Sequence, residues 1–232
     1  MRPEERIIVA LDFPGPEPAR ALLEQLPHAH AVKVGSELFT AAGPALIREL
    51  VDRGLQVFLD LKFHDIPNTV GRAAASAAAL GVAWLSVHLS GGAEMVAAAV
   101  RAAQSGGRVS APRVLGVTVL TSLSSADLSE VGIARSLEDQ VVTLARLGQG
   151  AGAAGVVASP REIAALRRAC GTGLELVIPG VRPAWASSDD QKRVATPGEA
   201  VLAGADRLVI GRPISAAADP AKAFERIVEE IS

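Results

Sequence analysis

The chain has 232 residues, 49% of them hydrophobic and 21% charged, with a formal net charge of −2. This predicts a single folded domain with a large core and excludes wholesale disorder. The near-balanced charge offers no argument for nucleic acid or an anionic membrane as a partner. The lone cysteine, Cys170, excludes an internal disulfide framework and a cysteine zinc site. The opening MRPEERIIVALDF carries no long apolar run behind its basic residue, so no secretory signal is expected. No segment reaches the roughly 18 uninterrupted apolar residues of a membrane span, and the expected location is the cytoplasm.

In chain order, Ile7 to Leu11 reads as a short apolar strand ending at Asp12, and Ala19 to Leu26 as a helix. Ala31 to Val34 is the second strand and carries Lys33. Gly43 to Arg53 supplies a helix with apolar residues at 46, 47, 50 and 51, stopped by Gly54. Val57 to Lys62 is the third strand. Thr69 to Leu80 follows as a helix of small residues, Trp84 to His88 as a strand, and Glu94 to Ala103 as a helix. Arg113 to Val119 is the fifth strand, ending in Leu120-Thr121-Ser122, and Leu137 to Leu147 is helical. Gly155 to Ala158 is the sixth strand, after which Pro160 opens a helix at its favoured first position. Leu174 to Ile178 leads into Pro179-Gly180-Val181-Arg182-Pro183 and a polar segment, Ala186 to Arg193. A helix at Thr196 to Ala203 precedes the eighth strand, Arg207 to Ile210. Gly211-Arg212-Pro213-Ile214 then turns into the last helices, ending near Ile231. Eight short strands buried on both faces, each followed by a helix, predict one α/β domain with the (β/α)₈ (TIM) barrel fold.

In such a barrel, chemistry collects at the C-terminal ends of the strands. Those ends carry Asp12, Lys33, Asp60 with Lys62, His88, Thr121, Arg182 and Gly211-Arg212. Asp60 and Lys62 are two apart, so regular strand alternation points them to one side. A structural Asp60–Lys62 ion pair, a snorkelling Lys33 and a simple Asp12 cap are the alternatives for the residues taken singly. Together they form a cluster of alternating sign. A lysine between carboxylates stays an ammonium, which suits it to donate a proton and to stabilise developing negative charge, not to form a Schiff base. Arg182 with Gly211 and Arg212 matches the phosphate grip after strands seven and eight; the alternative for Gly211-Arg212 is a turn with an exposed arginine. The expected ligand is a phosphorylated small molecule with its reacting end near strands two and three. His64 reads as structural, and metal binding is not expected.

With those residues in view, the chain resembles the bacterial orotidine 5′-phosphate decarboxylases, from ALDF to IGRPI. DLKFHDIPNT is the most specific motif, and KVG, VTVLTS, PGVRP and GRPI agree in order and spacing. The resemblance implies conversion of orotidine 5′-phosphate to UMP and CO₂ without metal or cofactor. It implies that Lys33, Asp60, Lys62 and Asp65 form the catalytic charged network, with Lys62 protonating C6 and Asp60 holding Lys62 beside the substrate carboxylate. Asp12 and Lys33 are then expected on the ribose, Thr121 and Ser122 near the pyrimidine, and Pro179 as a wall. Arg182, Gln191, Gly211 and Arg212 are expected on the phosphate. The resemblance further implies a homodimer with shared sites, in which Asp65, Ile66 and Thr69 serve the partner's boundary. Two alternatives stand beside it. One is a magnesium-dependent sugar-phosphate decarboxylase or aldolase of the same suprafamily, such as 3-keto-gulonate 6-phosphate decarboxylase or hexulose-phosphate synthase, against which the positive charge of Lys33 argues. The other is a non-catalytic nucleotide-phosphate sensor, which has no need of four charges opposite its phosphate grip.

Overall fold

A computed structural model describes residues 1–106, 110–186 and 195–232. Eight parallel strands close into a barrel in sequence order: β1 (Ile7–Ala10), β2 (Ala31–Gly35), β3 (Gln56–Phe63), β4 (Trp84–His88), β5 (Arg113–Val117), β6 (Gly155–Val157), β7 (Glu175–Pro179) and β8 (Arg207–Ile210). β8 returns to β1 through the register Ile7 with Leu208 and Val9 with Ile210. The expected barrel is therefore the observed one.

Strand alternation divides the apolar residues into two cores. Ile7, Val9, Val32, Val34, Val57, Leu59 and Leu85 pack outward, in a continuous core with the helices. Ile8, Ala10, Ala31, Phe58, Trp84, Leu115, Val177 and Val209 fill the barrel itself. Each strand is thus apolar on both faces, as a sheet covered by helices requires. Burying a side chain the size of Ile8, Phe58 or Val177 contributes about 1.5–3 kcal/mol, and together these side chains make the interior a packed plug and not a pore.

The helices in chain order are α1 (Pro16–Glu24), α2 (Ser36–Asp52), α3 (Pro67–Ala78), α4 (Ala93–Gly106), α5 (Ser125–Glu130), α6 (Leu137–Gly150), α7 (Ile163–Cys170), α8 (Pro197–Ala203), α9 (Arg212–Ser215) and α10 (Pro220–Glu230). Three differ from the sequence reading in an instructive way. α2 begins at Ser36, seven residues before the expected start, and is broken at Gly43 (φ 65°) where Pro44 restarts it. The sequence periodicity picked up only its second half. α5 was not expected; it is one short turn and a half, started by a reciprocal Ser124–Asp127 capping box. After Pro160 a 3₁₀ turn (Pro160–Glu162) comes before α7. β5 ends at Val117, two residues short of the expectation, because Val119 already belongs to the loop at the barrel mouth.

No helix among the described residues is long and apolar enough to cross a membrane.

Candidate active site

The charged strand ends resolve into two pairs on neighbouring strands. Lys33 leaves β2 toward Asp12, whose Oδ1 lies 2.7 Å from its ammonium. Lys62 reaches Asp60 Oδ2 at 2.8 Å. Asp60 is buried at 7% exposure, a rare state for a carboxylate unless it is partnered. Gly35 makes room for the first pair: a Cβ there would stand 3.2 Å from Lys33 Nζ and 3.7 Å from Asp12 Oδ1. The glycine of the KVG motif thus has a local steric reason.

Lys33, Asp60 and Lys62 share a cavity of about 270 Å³ with Thr121, Ser122, Pro179 and an apolar wall that includes Phe58, Val117, Val157 and Val209. A larger space of about 710 Å³ adjoins it, sharing Leu120, Thr121 and Pro179 and running out over Ser136, Glu138, Arg161 and Glu162. Size does not locate the chemistry: the smaller cavity has the paired cations on apolar walls, where charge interactions are least screened. A third space, about 430 Å³, is lined by Arg182, Trp185, Arg212 and Pro213 at the ends of β7 and β8. There Gly211 caps the short helix α9 that follows β8, the position where barrels of this kind bind phosphate.

The strand geometry of the motif differs from the expectation of plain alternation. Lys62 has φ 52°, the sole positive φ of a non-glycine residue among the described residues. β3 and β4 pair Leu59 with Leu85 and then Phe63 with Val87, so Asp60, Leu61 and Lys62 stand opposite Ser86 alone. This is a bulge at the barrel rim. The left-handed conformation costs an L-residue about 1–2 kcal/mol, and such strain gathers where side chains must be aimed. Ser86 occupies the gap: Lys62 N donates to its Oγ at 2.9 Å, and that hydroxyl donates to Asp60 Oδ1 at 2.8 Å. The sequence reading passed over Ser86, an uncharged residue within the apolar strand WLSVH. Its only signal was parity, since it stands on the inward side between Trp84 and His88.

The rim of the site also holds two histidines. The rings of His64 and His88 lie 5.4 Å apart, tilted by 41°. Burial, then the neighbouring His64 and Lys62 charges, push the His88 pKa down, with Asp60 opposing.

Of the residues named from the sequence, Lys33, Asp60, Lys62, Thr121, Ser122 and Pro179 meet at one cavity, and Arg182 and Arg212 meet at another. Asp12 joins the first through Lys33. Asp65, Ile66 and Thr69 do not join them within one chain: all three are exposed, and Asp65 Oδ1 accepts a hydrogen bond from Ile66 N at 2.6 Å. Gln191 lies outside the described residues. Among the described residues no group of three or more histidines, cysteines and carboxylates is placed to hold a metal ion.

Three comparisons bear on this geometry. The model of a family described as Orotidine 5'-phosphate decarboxylase / HUMPS family matches residues 5–227. An orotidine 5'-phosphate decarboxylase of Anaeromyxobacter sp. (strain K) is 58% identical over 231 residues, covering 98% of each chain. That of Syntrophotalea carbinolica is 50% identical over 232 residues, covering 98% of this chain and 95% of the relative. Among solved structures, an orotidine 5'-phosphate decarboxylase from Lactobacillus acidophilus superposes with a TM-score of 0.89 at 39% identity, covering 97% of this chain and 98% of the other.

Proposed function

This chain belongs to the orotidine 5'-phosphate decarboxylase / HUMPS family, and on that premise we propose that it converts orotidine 5′-phosphate to UMP and CO₂ in pyrimidine biosynthesis. We place it in the cytoplasm as a homodimer, working without metal or cofactor. The observation that carries the reading is the Lys62 ammonium, held by Asp60 in the wall of a small, largely apolar cavity that also contains Lys33.

Loss of CO₂ from C6 leaves an electron pair in the plane of the pyrimidine ring, where it cannot delocalise into the ring carbonyls. Positive charge already in place must stabilise it. Lys62 supplies that charge and then the proton that ends up on C6, while Asp60 keeps the ammonium aimed. A unit charge about 4 Å from the developing carbanion is worth about 4 kcal/mol at an effective dielectric constant of 20. Enzymes supply about 8–23 kcal/mol, so one lysine cannot provide the whole acceleration. The remainder is assigned to binding at the far end of the substrate: Arg182, Gly211, Arg212 and Gln191 grip the phosphate, and that energy is realised in holding the ring against Lys62. Asp12 and Lys33 hold the ribose, Thr121 and Ser122 the pyrimidine, and Pro179 walls it in. Asp65, with Ile66 and Thr69, completes the site of the partner subunit, which accounts for exposed residues in so specific a motif.

The test is conversion of orotidine 5′-phosphate in the presence of EDTA, followed by ultraviolet absorbance and chromatography for UMP. The expected result is UMP at a rate EDTA leaves unchanged. A rate abolished by chelator and restored by Mg²⁺ would favour the sugar-phosphate branch of the suprafamily. Absence of UMP from folded protein would remove the decarboxylase reading.

A further inference from the structure

We propose that Ser86 is a positioning residue for the proton donor: its hydroxyl fixes both the backbone and the counter-ion of Lys62. The inference rests on the decarboxylase reading above and assigns a role to a residue outside the charged motif. Ser86 is fully buried and is not among the residues that line the cavity, so it acts through Lys62 and Asp60 and not on the substrate.

The direction of its hydrogen bonds is forced. A backbone N–H can only donate, so Ser86 Oγ accepts from Lys62 N; an ionised carboxylate can only accept, so the single hydroxyl proton goes to Asp60 Oδ1. The other oxygen of that carboxylate takes the Lys62 ammonium. The result is a closed ring, from Lys62 N through Ser86 and Asp60 back to Lys62 Nζ. It ties down the two ends of one lysine and leaves Asp60 Oδ2 to the ammonium. The ring also explains how a left-handed lysine is held. Three residues of β3 bulge against the one residue of β4, and the serine hydroxyl supplies the partner that bulged backbone needs. An alanine there deprives Lys62 N and Asp60 Oδ1 of that partner at once. The bulge is then free to relax, and the ammonium moves off the line to C6.

The experiment is steady-state kinetics on orotidine 5′-phosphate with the full chain, alongside UMP affinity and thermal unfolding. In Ser86→Ala we expect kcat to fall about 100-fold, the scale of an ångström-sized misplacement. KM and the Kd for UMP are expected to change less than about threefold, because the phosphate and ribose contacts are untouched. Ser86→Thr, which keeps the hydroxyl, should recover most of the lost kcat. A merely structural serine lowers the melting temperature and leaves kcat alone. A kcat in Ser86→Ala within about threefold of native would overturn the proposal, as would a loss carried by KM and UMP affinity instead. If Ser86→Ala does not fold, Ser86→Cys tests the same point: it keeps the shape with a weaker donor, and a native kcat there overturns it. A crystal structure of a folded variant gives a readout apart from activity. Lys62 is expected to leave positive φ or to lose Asp60, and unchanged geometry counts against the role. A native chain that makes no UMP refutes the decarboxylase reading itself, an outcome distinct from a native chain that works equally well without Ser86.

Discussion

The two ends of the barrel contain the same kind of interaction and use it differently. At the N-terminal end Arg207 Nε lies 2.8 Å from Glu175 Oε1, and Arg207 stacks over Trp84 with its guanidinium carbon 4.5 Å from the ring centre. Arg113 and the Trp84 indole N–H reach the other Glu175 oxygen, and Arg207 also donates to the Glu5 carbonyl. Both oxygens of the Glu175 carboxylate are thus matched by neighbouring donors. At the C-terminal end the Lys62–Asp60 pair is equally short, at 2.8 Å, but it sits on a strained backbone and lines a cavity. A saturated ion pair is a plug. One that keeps a donor facing a cavity is a reagent, because its remaining hydrogen-bonding capacity is available to a substrate.

The difference can be broken most sharply at the top. Lys62→Ala should lower turnover by about 10⁴-fold or more, since it removes both the proposed proton donor and the positive charge beside it. UMP should still bind, as titration of the variant will show, and near-native turnover would sink the assignment of the donor. Next comes a rescue. In the proposed dimer with shared sites, mixing inactive Lys62→Ala and Asp65→Ala chains gives heterodimers in which one site has both residues. Random pairing of a two-fold dimer then predicts about a quarter of native activity, and activity that stays at the level of the separate variants would count against a shared site. At the bottom, Glu175→Gln leaves Arg207 buried without its counter-ion and should cost about 3–5 kcal/mol of stability in urea unfolding. The folded fraction is expected to keep native kcat, and a selective loss of kcat would erase the contrast between the ends.

The smallest effect concerns pH. The folded His88 pKa lies below the ordinary histidine value of 6.5, so the unfolded chain takes up the proton first as pH falls. Stability therefore declines from about pH 6.5 down through the folded pKa and is unaffected by this group above that window. His88→Gln should flatten that part of the pH–stability curve, and urea midpoints at pH 5 and 7.5 would detect it.

Much of this arrangement could be read from the chain itself. The eight strands are apolar on both faces, and that pattern suits a covered parallel sheet. Phe58 faces the barrel, so two residues later Asp60 must begin the same inward row at the open end. The charges at 12, 33, 60 and 62 fall where strands run out, which is why the sequence alone groups them. The charged plug at the other end was less legible, because Glu175 and Arg207 begin their strands 32 residues apart and nothing local connects them. The start of α2 was hidden because Gly43-Pro44 divides its periodicity.

By itself the sequence determined which residues are buried on strands, how many strands there are, and which polar side chains end them, because those follow from a two-residue period and from the cost of burying charge. Only the tertiary structure decided how the ends are aimed. The left-handed Lys62, the three-to-one bulge against β4 and the bridging hydroxyl of Ser86 depend on the register between two strands 26 residues apart. Local propensity contains no information about that register: an L-residue does not choose positive φ alone, and it is held there by a partner that only closure of the barrel brings within hydrogen-bonding distance.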